Sequence, residues 1–494
     1  MHQINSRTID FNSVLRGANL LVAGATLLAF QQAQSNAYVD QETIVLAVLL
    51  GVQTHVALMF ERRRRDPFVV LLAFSMIVYY SLRILTLTLY PFSIVFERYP
   101  YDAHDSNYAL VFIIVANAFL YAGFFAVRFN DNQRARSGTW KATAPGRVVV
   151  LLIAAIVFGY LSGGYWTEDT APAALNFLVI FFNPAITVLM ALAYYFAFRQ
   201  TLSKKFAFAI ATLLAMEMTV HTLVGSRSAI VGFVQSCLYV ALALGPISFR
   251  KKYLYLGIAL LPVIVGLLVA SFVISTYNRA NRELGGNFDL SRAIQQAGLA
   301  SEYLSLGTSL DLLLPPIFSR AGFFDYSAEI IAHREEYQAV INPGAYARSI
   351  VDNILTPGFD VYDQPKISNA LSYAYMDLGT PSKVEVSEFY QSDQLGVYGE
   401  FYALFEYGCL PLLFLVAFTL KRIYVRLRSA NPFKLVAKRA VVLFVFVKII
   451  DSFGVDWIIL ETLPLVAAIV LYAWILSGKR MPVPDSGLPR ALAG

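Results

Sequence analysis

Apolar residues run along this chain in blocks of about one membrane thickness, separated by short polar stretches. A helical span needs roughly 20 mostly apolar residues to cross the ~30 Å hydrocarbon core. Twelve segments approach that length: residues 14–30, 44–60, 68–89, 108–127, 148–161, 174–198, 206–224, 229–245, 253–275, 401–420, 440–455 and 463–476. They lack the period of two expected of barrel strands. In lipid every backbone amide must be paired internally, so the spans are predicted to be helices. One region breaks the pattern: residues 276–398 are hydrophilic for more than a hundred positions. Within it, spacing and capping predict helices over 289–306, 325–337 and 345–355. Residues 308–318 are apolar, but they carry Pro315 and Pro316 and are too short to cross; they are expected on the membrane or capping the bundle. The expected fold is an all-α polytopic membrane protein with about 12 transmembrane helices. Residues 1–275 would form nine spans, 276–398 one large helical insert packed on the bundle, and 399–494 the last three spans and a tail.

Composition agrees with the pattern. Only 15% of residues are charged, against about 25% in soluble domains, and 57% are apolar. The net charge of +6 matters through its placement. Alternating the spans from a cytoplasmic N-terminus collects the basic clusters on one side: Arg62 to Arg65, Arg128 to Arg147, Lys204 and Lys205, Arg250 to Lys252, Lys421 to Arg439, and Lys479 with Arg480. The short loops opposite hold only Arg98 and Arg227. This positive-inside bias places both termini in the cytoplasm and the insert outside. The clusters read as topology signals and lipid headgroup contacts, with no nucleic-acid signature. Cys237 and Cys409 fall within spans and form no disulfide framework. Arg16, an apolar stretch and the small residues at 35–37 look like a secretory signal, but the second span follows closely; an uncleaved first helix is expected.

The chemistry gathers on the insert side. Between the seventh and eighth spans the turn Gly225-Ser226-Arg227-Ser228 is nearly as short as a turn can be. Gly225 permits it, either serine can cap the next helix, and that helix's positive dipole end would lie beside Arg227. The result is an anion site by construction, since a guanidinium fork suits phosphate oxygens. The alternative is an arginine reaching to the interface. Arg279 and Arg282 follow the ninth span and run against the charge bias for an outer flank; they bind an acidic ligand or pair with Glu283 and Asp289. Arg320 follows the apolar segment at headgroup depth. Asp325, Glu329 and His333 are spaced by four, so a helix stacks them on one face, where a carboxylate could orient the imidazole as a base. A solvated His–Glu pair is the other reading, and His221 is a rival histidine.

Glu400 and Glu406 open the tenth span. Acids in an apolar helix should face the interior, and Glu406 should find a partner, plausibly an arginine. Glu400 alternatively complements its helix N-terminus. Arg83, Glu217, Lys448 and Asp451 are expected to pair between helices. No metal-ligand spacing, phosphate-binding loop, dinucleotide fingerprint or Ser-His-Asp set stands out.

The turn at Arg227, the arginine Arg279 after the next span, the large insert, and Gly399-Glu400-Phe401-Tyr402 leading to Phe405-Glu406-Tyr407-Gly408 resemble bacterial O-antigen and oligosaccharide repeat-unit polymerases (Wzy-type). An Arg-x10-Gly pattern found in some members is missing at Arg227, Arg279, Arg320 and Arg348. The resemblance implies a GT-C-like bundle in the bacterial inner membrane with a periplasmic insert. It implies a glycosyltransferase that needs neither cofactor nor metal, moving a growing glycan from undecaprenyl diphosphate onto another lipid-linked repeat unit. Its partners would be those lipid-linked donors and acceptors, membrane lipids and a chain-length regulator. Arg227 and Arg279 would hold the diphosphate, with Arg320 and Arg282 beside them; His333 or Glu400 would act on the acceptor. An O-antigen ligase shares the donor chemistry. A flippase or transporter shares the span count, but lacks a reason for the off-centre insert. A membrane scaffold for export is the remaining alternative.

Overall fold

The computed structural model describes residues 8–64, 66–91, 101–128, 140–141, 145–164, 181–182, 184–223, 229–245, 247–250, 322–338, 340–355, 361–365, 367, 370, 396–429, 431–451, 455–476 and 479–480. Nearly all of this is helix. In chain order the helices are α1 (Phe11–Leu28), α2 (Gln41–Arg64), α3 (Pro67–Ser75), α4 (Leu82–Leu89), α5 (Ala103–Ala126), α6 (Pro145–Gly164), α7 (Pro184–Phe198), α8 (Lys204–Leu223), α9 (Ala229–Leu244), α10 (Phe323–Ala332), α11 (Arg334–Tyr337), α12 (Pro343–Ile350), α13 (Gly396–Phe405), α14 (Cys409–Arg426), α15 (Pro432–Asp451) and α16 (Val455–Ile475). A π-helical turn, Met76–Ser81, joins α3 to α4. Four short strands form two antiparallel pairs: β1 (Thr8–Asp10) with β3 (Ser248–Arg250), and β2 (Trp140–Lys141) with β4 (Lys479–Arg480).

Local sequence explains where several helices begin. Asp66 accepts from the Phe68 amide at 3.1 Å, and Pro67 occupies the first helical position, where its missing N–H costs nothing. Asp102 and Asp105 form a reciprocal capping box at the start of α5, at 2.9 and 3.0 Å. Asn342 and Pro343 repeat the cap-then-proline arrangement before α12.

Among the described residues five helical segments are long and apolar enough to cross a membrane: Phe11–Gln34, Gln41–Glu61, Pro67–Leu89, Ala103–Ala126 and Gly396–Arg426. Shorter apolar helices run over Pro145–Phe158, Ile186–Phe198, Gly232–Leu244 and Val466–Ile475. Large apolar side chains remain uncovered along these helices, among them Leu21, Leu28, Val150 and Trp474. Exposure on that scale fits a lipid-facing surface and not a water-facing one.

Two groups of helices share the core. α1 to α5, α10, α13 and α14 make one; α6 to α9 with α15 and α16 make the other, and α15 also packs on α3 and α13. The tightest approach is between α5 and α14. A Cβ on Gly123 would stand 2.5 Å from the Phe414 carbonyl oxygen, so only glycine fits. Phe68, Phe124 and Phe446 meet beside it with ring centroids 5.3 Å apart.

Element ends differ from expectation in several places, among them the twelfth span, which starts at Val455, eight residues before the expected 463. The predicted tenth span is two helices, broken at the 3₁₀ turn Glu406–Gly408, where Glu406 takes φ of 47°. The eleventh span starts earlier than expected, at Pro432, because Asn431 supplies a cap and Pro432 a helix start. The helix expected over 325–337 breaks at His333, leaving α10 and the short α11. The expected helix over 289–306, the apolar segment 308–318 and the ninth span lie outside the described residues.

Candidate functional site

α10 comes from the hydrophilic insert, yet its Phe323, Phe324, Ala328 and Ile331 are buried with the spans. It packs on α5 and α13. Two glycines of α13 make this possible. At Gly399 an added Cβ would lie 3.1 Å from Ile330 and 3.3 Å from the Ser327 backbone; Gly396 has φ of +68°, a conformation that favours glycine.

A buried ion pair fixes α10 further. Arg83 of α4 grips Asp325 through Nε at 3.0 Å and Nη2 at 2.5 Å, with both side chains fully buried. The forked geometry is the strong form of this interaction. Tyr101 lies against the pair, with its ring edge-on to Phe324. Burial, and then the Asp325 carboxylate, pushes the Tyr101 phenol well above its ordinary range. The next polar layer is neutral: Tyr398 donates to Asn117 at 2.5 Å, and Asn117 donates to the Met76 sulfur at 2.9 Å.

The three residues spaced by four part company. Asp325 serves Arg83. Glu329 accepts from Tyr337 at 2.6 Å. His333 sits past the end of α10, where its Nδ1 meets Glu336 at 2.8 Å. Helical spacing predicted a shared face, but the break at His333 turns the imidazole toward the acid three residues later. His333 is partly exposed, with side-chain exposure of 26%, whereas Glu400 is completely buried. The two stand on helices that run side by side, since Gly399 meets Ser327 and Ala403 accepts from Arg334 Nε at 3.2 Å.

Glu406 finds an arginine, as its position required: Arg334 Nη1 lies 2.6 Å from its carboxylate. The pair is surface-exposed and not embedded, because the break between α13 and α14 lifts Glu406 out of the helix. Of the other ionisable groups within spans, Arg83 pairs with Asp325, Glu217 accepts from Thr187, and Lys448 lies 5.7 Å over the Phe444 ring. The buried ion pair Lys421–Asp66 was not anticipated: Lys421 sits in a basic run at a span end, which conceals a core side chain. Asn117 was missed as well, although a lone amide in an apolar helix signals interhelical bonding.

Arg227, Arg279, Arg282 and Arg320 lie outside the described residues. Among those residues no group of three or more His, Cys, Asp or Glu side chains could hold a metal ion. The site as described therefore offers an oriented, partly exposed imidazole at the end of a helix anchored in the bundle, and a buried carboxyl group, Glu400, on the helix packed beside it. Compared with protein-family profiles, curated proteins and solved structures, the chain matches none.

Proposed function

We propose that this chain is an integral-membrane glycosyltransferase of about twelve spans. It would join oligosaccharide repeat units carried on undecaprenyl diphosphate at the periplasmic face of the bacterial inner membrane. The single observation that supports it best is the anchoring of α10 by Arg83 and Asp325, which makes part of the insert a fixed wall of the bundle and holds His333 at its end. A pore or a scaffold has no need of that arrangement. Strand pairing supports the topology. β1 with β3, and β2 with β4, each join segments separated by eight of the twelve spans, an even number, as one shared membrane face requires.

In this reading an acceptor hydroxyl oxygen attacks the anomeric carbon of the donor glycan. The bond from that carbon to the diphosphate oxygen breaks, and undecaprenyl diphosphate leaves. Arg227 and Arg279, with Arg282 and Arg320, hold the charge that develops on the leaving group. Because Glu336 engages Nδ1 of His333, Nε2, a buried atom that substrate binding would have to uncover, is the nitrogen assigned to take the acceptor proton. Glu400, buried on the neighbouring helix α13, is the second candidate for that role. Diphosphate leaves readily, so the chemistry asks for neither a metal nor a general acid.

The test is the glycan profile of a strain in which variants replace the wild-type gene. Arg227→Ala should leave folded protein and single-repeat product but no long chains. His333→Ala should slow chain growth by about 10²- to 10⁴-fold, the usual contribution of a positioned base. Normal ladders in Arg227→Ala would remove the leading site. Loss of every capped form, single repeats included, would indicate a ligase.

A further inference from the structure

α8 carries Glu217 and His221 four residues apart, hence on one helix face. Glu217 is completely buried and His221 is 9% exposed. Thr187 of α7 donates to Glu217 Oε1 at 2.5 Å. Among the described residues, Glu217 Oε2 and His221 Nε2 have no hydrogen-bond partner. The ion pairs among those residues all lie elsewhere, on Asp66, Asp325, Glu336 and Glu406.

Among the described residues the surroundings supply no counter-charge. The titratable groups on the helices packed against α8 are Arg147 and Tyr160 of α6, Tyr194 and Tyr195 of α7, and Cys237 and Tyr239 of α9. Tyr472 of α16 is also within electrostatic reach of Glu217. Arg147, the one cation in that set, donates to the Ile475 carbonyl at 3.0 Å at the exposed end of its helix. A small, mostly apolar cavity lies beside Thr187 and Tyr472.

An isolated carboxylate is costly to remove from water, and Thr187 supplies only one hydrogen bond in return. A neutral acid in the same place costs far less. By contrast, the buried acids Asp66 and Asp325 each face a lysine or an arginine.

We propose that Glu217 is a proton-binding site inside the bundle, carrying an exchangeable proton, with His221 as the neighbouring group that receives it. Oε2 and Nε2 are not hydrogen-bonded to each other, so the transfer runs through one bridging water: the carboxyl O–H bond breaks and an imidazole N–H bond forms at Nε2. A carboxylate and an imidazolium remain, and the net charge is unchanged. Such a site ties one step of the protein's cycle to the pH of the side that reaches it, whatever the sugar chemistry.

Infrared difference spectroscopy of the full-length protein in lipid vesicles tests this directly. Wild type should show a protonated-carboxyl C=O band at neutral pH that shifts in deuterated water. The band should vanish in Glu217→Gln and persist at a changed frequency in Glu217→Asp, which keeps the acid if the glutamine variant does not fold. His221→Gln should move the pH midpoint of the band, as a merely structural histidine would not. A band that survives in Glu217→Gln, or a carboxylate signal at neutral pH in wild type, overturns the proposal. Loss of the wild-type band on adding sodium would assign a sodium site instead and also overturn it. An unmoved midpoint in His221→Gln removes the histidine's part.

Discussion

The continuous helix from Pro67 to Leu89 carries a buried ion pair at each end, with the charges reversed. At its start the acid belongs to the helix: Asp66 pairs with Lys421 of α14. Near its end the base belongs to the helix: Arg83 pairs with Asp325 of α10. Seventeen residues separate Asp66 from Arg83, about 25 Å at 1.5 Å per residue, close to the thickness of a hydrocarbon core. The pairs therefore suit the two boundary levels of a bilayer, where a buried charge can still borrow polar surroundings. They differ in what backs them. Asp66 also caps its helix, and Lys421 donates to the Phe124 carbonyl at 2.5 Å, so that pair is tied to local backbone. Arg83 and Asp325 are 242 residues apart in sequence, and their pair joins a span to a helix of the insert. One pair seats a helix end; the other holds a distant segment in place.

The largest effect should come from separating the second pair. Arg83→Ala or Asp325→Ala leaves a buried charge alone and should lower stability by about 3–5 kcal/mol. Hydrogen exchange in lipid should rise first in α10. The double variant Arg83→Met with Asp325→Leu should recover most of the loss, because a buried pair contributes little beyond an apolar replacement. Single variants as stable as wild type would mean that α10 is held by packing alone. Lys421→Met should cost about 3 kcal/mol, at the lower end of that range, since Asp66 keeps its amide donor from Phe68. Its exchange should increase around α3 and not α10; the same pattern in both variants would erase the distinction drawn between the two ends.

A partly buried acid gives the smallest effect. Asp40 accepts from the Thr43 amide at 2.7 Å, the Thr43 hydroxyl at 2.8 Å and Asn107 at 3.1 Å. Burial raises the Asp40 carboxyl, but the bonds from Thr43 and Asn107 outweigh it and hold the group below the ordinary aspartate range. Its contribution is therefore present above the ordinary aspartate value and lost as pH falls through the lower, folded-state one. Asp40→Asn keeps an accepting oxygen but loses the charge at the helix start, so it should cost about 0.3–1 kcal/mol at neutral pH, and the gap to wild type should close in acid. A gap that stays constant between pH 7 and pH 3 would show that Asp40 acts by shape and not by charge.

Much of the fold was legible. The run of apolar residues placed α2, α5 and α9 within a few positions, because a helix in lipid must be apolar over its length. The starts set by the caps Asp66, Asp102 and Asn342 were not read from the sequence: α5 begins at Ala103, five residues before the expected 108. The break at Glu406 was not legible: Phe405-Glu406-Tyr407-Gly408 reads as a helix, and only the packed structure puts Glu406 at positive φ beside Arg334. The candidate site was legible in part. His333 could be singled out, but its partner could not, since spacing by four assumes a helix that in fact ends one residue earlier.

By itself the sequence determined the helical, membrane-embedded character of the chain, through the length and composition of its apolar blocks. It also marked Arg83 and Glu217 as charges placed where charge is costly, but not Lys421 or Asp66. Only the tertiary structure decided the partners: Arg83 with Asp325, Lys421 with Asp66, His333 with Glu336, and Glu217 with no cation among the described residues. Hydrophobic burial is set by local composition and so can be read along a chain. An ion pair depends on two side chains meeting in space, and no linear pattern encodes a meeting across more than two hundred residues.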